Sequence, residues 1–328
     1  MTAMAKNSKN SLKPFTLLLA IMVLIGLGAL LVYRFQSATI LAPETGAYTG
    51  VGVPVNDPTL LDQFTKDSGE KPAIILDYID WEWFPDFPTA RMDKLTARGA
   101  YPLLTWEPWD SRADTKLQAS YKLSKIIDGA HDTYISRWAQ QMKKWDKPIM
   151  LRFAHEMNGD WYSRSEGVNG NVSGEYVKAY QHVHDIFTHE GANNVSWVWT
   201  PNIEEADSTP IGGLFPGDAY VDWVGLDGYN FGAVDGHSWR TFEQTFATSI
   251  TTVRGISSKP FIIAETACGT VGGDKAAWIT DFFARLTARP EIKAFVWFNY
   301  NKGIDYRIES SASAQAAYKA GIASNRWR

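Results

Sequence analysis

Cysteine is almost absent from this sequence, because Cys268 is the only one among 328 residues. A single thiol excludes a disulfide within the chain and any metal site built from several cysteines. A nucleophilic thiol would need a base as its partner, and the sequence places none beside Cys268. We therefore expect this residue to pack in the interior or to lie in a loop.

The sequence also lacks any concentration of positive charge. Its formal net charge is -4, and its lysines are scattered. Proteins that bind nucleic acids carry a basic patch or stripe, so we expect no nucleic-acid partner.

Histidines at metal-binding spacing are missing as well. Gly159 stands four residues after His155, where an HExxH zinc motif requires its second histidine. His182 and His184 are two residues apart on a predicted helix, and helical neighbours on one face are three or four apart. We predict neither a catalytic metal nor a cofactor.

Aromatic residues are abundant, with 14 Trp and 14 Tyr. Many of them follow apolar runs directly, where flat rings could stack on the C–H faces of sugars, although a large core also contains many aromatics. Hydrophobic residues make up 45% of the chain, which is enough for one barrel-sized domain or two ordinary domains.

The N-terminal region carries a long hydrophobic run. Three lysines precede an uncharged stretch of 20 residues from Pro14 to Tyr33, and Arg34 follows it. As a helix, this stretch would span about 30 Å, the hydrocarbon thickness of a bilayer. The run is long for a cleaved signal peptide, and the candidate cleavage site Ile40-Leu41-Ala42 begins with a bulky residue. We predict an uncleaved anchor, with a signal peptide as the alternative.

These features divide the chain into a basic cytoplasmic N-terminus at residues 1–13, a transmembrane signal anchor at 14–35, a linker at 36–46 and a globular domain at 47–328. The three lysines place the N-terminus in the cytoplasm by the positive-inside rule. The chain would contact the membrane through Pro14–Phe35. Its globular domain would be periplasmic or extracellular, and secreted if the N-terminal segment is cleaved.

Eight strand-like apolar runs alternate with helix-like segments in the globular domain. This alternation predicts the α/β class and a (β/α)8 TIM barrel, with a doubly wound open sheet as the alternative. No GxGxxG motif follows the first run, which disfavours the open sheet. The helical crossovers after the first and fifth runs are weakly signalled. The runs are Tyr48–Val53, Ala73–Tyr78, Tyr101–Trp106, Ile149–Phe153, Val195–Trp199, Val221–Leu226, Phe261–Ala264 and Ile292–Phe298.

A glutamate closely follows both the fourth and the seventh run. The fourth run is followed by His155, Glu156 and Asn158, and the seventh is followed by Glu265. Buried polar groups at strand ends are unfavourable unless they bind each other or a ligand, and in a barrel this end faces the substrate. Two carboxylates facing one pocket suit the cleavage of a glycosidic bond. The plainer interpretation is that these groups cap the ends of their strands.

The segments HEMNGDWY around Glu156 and PFIIAET around Glu265 resemble the acid/base and nucleophile segments of glycoside hydrolase family 26. This family of β-mannanases and lichenases has a (β/α)8 fold, and the similarity covers about residues 47–325, so the globular domain at 47–328 would be the catalytic domain. The resemblance implies that Glu265 is the nucleophile and Glu156 the general acid/base of a retaining mechanism. Their carboxyl groups would then be ~5–5.5 Å apart.

The resemblance also implies supporting residues. His155 would orient the site, and Trp161 would line the sugar cleft. Tyr229 would donate a hydrogen bond to the nucleophile, and Trp297 would lie beneath the reacting sugar. Further residues at the strand ends are expected to bind substrate or to support the site, namely Tyr78, Trp81, Trp106, Glu107, Arg152, Asn158 and Asp227.

Two departures from the mannanase pattern bear on the substrate. Ala154 stands before the HE pair, where mannanases of the family often carry a second histidine, and Glu107 stands where histidine is expected. The sequence therefore favours mixed-linkage β-1,3-1,4-glucan over β-1,4-mannan as the substrate of an endo-β-glycosidase. A transglycosylase, or a non-catalytic polysaccharide-binding barrel in exopolysaccharide export, remains the alternative.

Overall fold

The structure, a computed structural model, describes residues 39–328. The predicted cytoplasmic segment at residues 1–13 and the predicted anchor at Pro14–Phe35 lie outside the described residues. No helix within residues 39–328 combines the length and the apolar character needed to span a bilayer.

Eight parallel strands form a closed barrel in the order β1 to β8, which confirms the predicted barrel. The barrel closes where β8 pairs with β1, from Ala294 opposite Tyr48 to Phe298 opposite Gly52. In chain order the strands are β1 (Tyr48–Gly52), β2 (Ile74–Asp80), β3 (Tyr101–Glu107), β4 (Ile149–Phe153), β5 (Val195–Trp199), β6 (Trp223–Asn230), β7 (Phe261–Cys268) and β8 (Ile292–Phe298).

Helices connect most of the strands. The weakly signalled first crossover contains a helix that begins at Pro58, with Asp57 as its N-cap accepting from the Thr59 backbone N–H at 3.0 Å. The described helices are α1 (Pro58–Ser68), α2 (Thr89–Thr96), α3 (Leu123–Ile127), α4 (Asp132–Trp145), α5 (Glu175–Glu190), α6 (Phe242–Ile256), α7 (Lys275–Thr287) and α8 (Ala312–Ile322).

The connection between β5 and β6 differs from the others in the described chain, because it contains a 3-10 turn at Ile211–Leu214 and no α-helix. Pro201, Pro210 and Pro216 interrupt this segment, and proline removes a helical hydrogen bond and clashes with the preceding turn. The chain instead forms an irregular loop whose first residues reach the mouth of the barrel.

The buried apolar residues form two layers that follow the alternation of side chains along the strands. The larger layer lies between the strands and the helices. The smaller layer fills the barrel interior with Ile74, Leu76, Leu103, Met150, Val198, Trp223, Ile262, Ala264, Ala294 and Val296.

The described part of the predicted linker at residues 36–46 packs against the barrel, so it is not a free connector. Ile40 is buried and joins the interior layer. Its backbone N–H donates to Ser196 Oγ at 2.6 Å, and its carbonyl accepts from Trp223 Nε1 at 2.9 Å. Within the described residues, the compact unit includes Thr39–Arg328.

Cys268 lies in the interior at the end of β7, as expected. Burial raises the pKa of its thiol to about 12, so the thiol is neutral near pH 7. Asn230 Nδ2 contacts the sulfur at 3.3 Å, and the sulfur contacts the Gly269 carbonyl at 3.2 Å. This environment does not produce a nucleophilic thiolate.

Candidate active site

A cavity of about 840 Å³ opens at the carboxyl ends of the strands. Both predicted glutamates, Glu156 and Glu265, line it, and each is less than a tenth exposed. Aromatic side chains form much of the remaining wall, namely Tyr78, Trp109, Trp161, Tyr162, Tyr229, Phe231, Phe298, Tyr300 and Tyr306.

Glu265 reaches the cavity because β7 contains a β-bulge. Leu226 of β6 pairs with Ile263, but the next residue, Asp227, pairs with Glu265, so Ala264 is the extra residue. Phe261 and Ile263 pack towards the helices, and an unbroken strand would turn Glu265 to that same side. A bulge of this kind re-aims a side chain, and here it aims the carboxylate into the mouth of the barrel.

Two donors hold the carboxylate of Glu265, one at each oxygen. Arg152 Nη2 donates to Oε1, and the Tyr229 hydroxyl donates to Oε2. Arg152 is completely buried, and its Nε also donates to Thr105 Oγ1 at 2.9 Å. A guanidinium and a phenol at these positions stabilise the negative charge of the carboxylate and fix its orientation.

Asp227 is the second carboxylate bound to Arg152, with Nη1 donating to Oδ2 at 2.7 Å. Burial raises the pKa of Asp227 well above its usual value, and the Arg152 charge opposes that increase. Ligand atoms of His155, Asp227 and Glu265 lie within 4.8 Å of one another, a spacing that could hold a cation. The Arg152 guanidinium already contacts two of the three residues and supplies positive charge to them.

Glu156 reaches the cavity by a different backbone path. After β4 ends at Phe153, Ala154 and Glu156 adopt left-handed conformations with φ of 49° and 54°. Such conformations are unfavourable for residues other than glycine and concentrate at functional sites. The Glu156 backbone N–H is fixed by the Thr200 carbonyl at 2.9 Å. As a result His155 and Glu156, although adjacent in sequence, both line the cavity.

Neutral donors hold the carboxyl group of Glu156. Asn202 Nδ2 donates to Oε1 at 2.7 Å, and Trp161 Nε1 donates to Oε2 at 3.1 Å. Burial raises the pKa of Glu156, and the nearby charge of Glu265 raises it further. Both effects favour the protonated form more than at an exposed glutamate, and this is the form that a general acid needs.

Asn158 supports Glu156 indirectly. It exchanges two hydrogen bonds with the backbone of Asn202, at 2.9 Å from its Nδ2 to the carbonyl and at 2.8 Å from the N–H to its Oδ1. These bonds place the Asn202 side chain against the carboxyl group of Glu156.

His155 and Glu107 are two further polar residues of the cavity wall. Burial holds the pKa of His155 well below its usual value, with the charges of Arg152 and Arg164 acting in the same direction. Burial raises the pKa of Glu107, and Arg164, which donates to its Oε1 at 3.1 Å, opposes the increase.

Three predicted tryptophans do not line the cavity, so their positions do not support the prediction that they contact sugar. The rings of Trp81 and Trp106 are in contact, with centroids 4.8 Å apart and planes tilted by 45°, in the layer between the strands and the helices. Trp297 packs against Trp278 of α7 and Tyr318 of α8. For Trp106 and Trp297 the cause is strand alternation, because their neighbours Glu107 and Phe298 line the cavity and the two tryptophans therefore point away from it.

Sequence reasoning missed two residues that contact the site. Asn202 follows β5 in the loop that replaces a helix, and Arg164 lies in the loop after β4. Trp109 and Tyr300, which follow β3 and β8, do line the cavity. The polar residues after the fifth run were the available signal for Asn202, whereas nothing in the sequence distinguishes Arg164 from a surface arginine.

The chain matches the model of Glycosyl hydrolase family 26 over residues 104–280. It is 38% identical to Endoglucanase H of Acetivibrio thermocellus over 270 residues, which cover 80% of this chain and 29% of that protein. It is 29% identical to a mannan endo-1,4-beta-mannosidase of Bacillus subtilis over 157 residues, covering 46% of this chain and 36% of that protein. The chain thus spans about a third of the length of these curated relatives.

Solved structures show the same fold at low identity. A GH26 beta-mannanase from Bacteroides ovatus superposes with a TM-score of 0.64 at 13% identity, covering 90% of this chain and 92% of that one. The GH26A protein from Muricauda sp. superposes with a TM-score of 0.60 at 20% identity, covering 91% and 94%.

Proposed function

Because the chain belongs to glycosyl hydrolase family 26, a family of glycoside hydrolases, we propose that it cleaves a β-linked polysaccharide by double displacement. One observation carries the proposal: Glu156 and Glu265 line a single cavity and are held by different kinds of donor. A retaining glycosidase requires two carboxyl groups in different protonation states, and these contacts support that difference.

In the first step, Glu265 attacks the anomeric carbon and forms a glycosyl-enzyme. Arg152 and Tyr229 orient its carboxylate for this attack. Glu156 gives its proton to the leaving glycosidic oxygen, for which its burial and raised pKa prepare it.

In the second step, Glu156 has become a carboxylate and removes a proton from water. The water attacks the anomeric carbon, the bond to Glu265 breaks, and the sugar leaves with its original configuration. Asn202 and Trp161 donate to the charged form of Glu156 and so stabilise it while it acts as a base.

Mixed-linkage β-1,3-1,4-glucan is the proposed substrate, and β-1,4-mannan is the second candidate. The relative named an endoglucanase matches 80% of this chain, whereas the mannosidase matches 46%. Glu107 lines the cavity as a carboxylate, which can accept a hydrogen bond from a sugar hydroxyl.

Digestion of a polysaccharide panel tests the proposal. We would incubate residues 39–328, so that Ile40 is retained, with lichenan, barley glucan, glucomannan, galactomannan and β-1,3-xylan. Release of reducing ends from lichenan and barley glucan is expected, and Glu265→Ala is the matched control for contaminating activity. Release from galactomannan alone would replace the glucan assignment by mannan, and release from none would contradict hydrolysis.

The same assay separates the alternatives. A transglycosylase would give products longer than a short oligosaccharide supplied to it, and a non-catalytic barrel would bind the polysaccharide without cleaving it. Hydrolysis predicts only shorter products. Mass spectrometry of the digest separates longer products from shorter ones, and an unchanged oligosaccharide is expected from a non-catalytic barrel.

Export and membrane anchoring through Pro14–Phe35 are part of the proposal, and the uncharged run from Pro14 to Tyr33 supports them. Extraction of cell membranes with alkaline carbonate tests the anchor. The full-length chain is expected in the pellet, and its appearance in the supernatant would contradict anchoring.

A further inference from the structure

We propose that Arg164 is a positioning residue that fixes the tautomer of His155, so that the imidazole presents its Nε2–H to Glu265. The consequence for catalysis rests on the proposed role of Glu265 as the nucleophile. The contacts of Arg164 do not depend on that assignment.

Arg164 lies in the loop after β4 and has no exposed surface. Its guanidinium carbon is 3.7 Å from the ring centroid of Tyr162 and 5.6 Å from that of Trp109, two aromatics of the cavity wall. The guanidinium therefore lies behind the wall and does not contact the open cavity. A buried charge of this kind requires specific partners.

Two of its hydrogen bonds go to a single residue, His155. Nε donates to the His155 carbonyl at 2.9 Å, and Nη2 contacts His155 Nδ1 at 3.1 Å. Nη2 also donates to Glu107 Oε1 at 3.1 Å. An arginine side chain can only donate, so Nδ1 must accept. In the neutral ring the proton is then on Nε2, on the other side of the imidazole.

The Nε2 atom faces the proposed nucleophile, at 3.9 Å from Glu265 Oε1. With the proton on Nε2, the positive end of the N–H dipole points towards the carboxylate. The other tautomer would place a lone pair there, and two sets of lone pairs would repel each other. Arg164 thus determines whether His155 supports or opposes the charge on Glu265.

Several charged or titratable groups face His155 from the surrounding elements. Arg152 and Arg164 lower the pKa of its imidazole, in addition to the effect of burial. Removing the charge of Arg164 should therefore raise that pKa. The other groups around the ring are Tyr78 on β2, Glu107 on β3, Glu156 and Tyr162 after β4, Asp227 on β6 and Glu265 on β7.

The alternative is that Arg164 only stabilises the loop that contains it. In that case, replacing Arg164 would lower the stability of the protein and would leave the protonation of His155 unchanged. Histidine NMR separates the two roles because it reads the ring nitrogens directly and needs no substrate. The result is therefore independent of whether Glu265 is the nucleophile.

The first measurement uses the full-length wild-type protein with 15N-labelled histidine. The sequence has six histidines, and His155→Gln assigns the signal of interest by its loss. We expect a neutral ring with the proton on Nε2 between pH 5 and 8. A proton on Nδ1, or a ring that is charged at pH 6, would overturn the proposal without recourse to any variant at position 164.

The second measurement compares Arg164→Met with Arg164→Lys. In the methionine variant, the Nδ1–H tautomer should appear and the acidic limb of kcat/KM should move to higher pH. The rate constant kcat should fall by roughly 10²-fold with a smaller change in KM. Lysine keeps the charge, so its acidic limb should stay closer to that of the wild type.

Two controls sharpen the comparison. Glu107→Gln keeps an oxygen that can accept from Arg164, so the His155 tautomer should not change. Arg289→Met removes an arginine that pairs with Glu243 outside the cavity, and it should change stability only. The proposal would be overturned if the methionine variant kept both the tautomer and the pH profile of the wild type. If methionine prevents folding, the lysine variant is read in the same way. Arg164 would then only stabilise its loop.

Discussion

The segments that carry the two glutamates direct these side chains into the cavity by different backbone features. At β7 a bulge turns Glu265 into the cavity, whereas after β4 two left-handed residues turn Glu156 there. The donors differ as well, because Glu265 is held by a guanidinium and a phenol and Glu156 by an amide and an indole.

In the proposed mechanism, this contrast explains how one residue type takes two roles in one cavity. A cationic donor favours the ionised carboxylate, whereas burial with neutral donors beside a second negative charge favours the protonated acid. The comparison can be tested by removing each carboxyl group and then by changing the donors of one of them.

Removal of Glu265 should have the largest effect. Glu265→Ala eliminates the atom that forms the covalent intermediate, so turnover of every substrate should fall by at least about 10⁴-fold. The measurement is initial rate on the polysaccharide and on an activated aryl glycoside. Glu243→Ala, a glutamate on α6 outside the cavity, is the matched control and should retain full activity.

Removal of Glu156 should have an effect that depends on the leaving group. Glu156→Ala should reduce the rate on the polysaccharide by about 10²–10⁴-fold, because the departing oxygen then receives no proton. A dinitrophenyl glycoside needs little protonation, so its glycosylation step should be far less affected. Equal losses on both substrates would contradict the assignment of Glu156 as the acid.

The smallest effects should come from the donors of Glu156. Asn202 and Trp161 both lower the pKa of Glu156, so Asn202→Ala and Trp161→Phe should each raise it. In the proposed mechanism Glu156 acts in its protonated form, so activity is lost as the pH rises through its pKa. The alkaline limb of kcat/KM should therefore move to higher pH, and more so for Asn202, whose bond is the shorter. A shift to lower pH in either variant would contradict this account.

The sequence was sufficient to predict the barrel fold, because eight apolar runs and their flanking turns carry a strong periodic signal. It was also sufficient to predict that Glu156 and Glu265, which follow such runs in distinctive motifs, line one cavity. It was insufficient to predict the direction of the Trp106 and Trp297 side chains, because the side of a strand on which a residue lies depends on register and bulges. The loop after β5 and the buried partner Arg164 depend on tertiary contacts that no local pattern encodes.

The central claim is that Glu265 becomes covalently bonded to the sugar while Glu156 transfers the proton. Incubation with a dinitrophenyl 2-deoxy-2-fluoro glycoside of the preferred sugar slows both steps and allows the glycosyl-enzyme to accumulate. Mass spectrometry of the digested protein should find the fluorinated sugar on the peptide that contains Glu265. A label on Glu156 or on another carboxylate, or products of inverted configuration, would contradict the account.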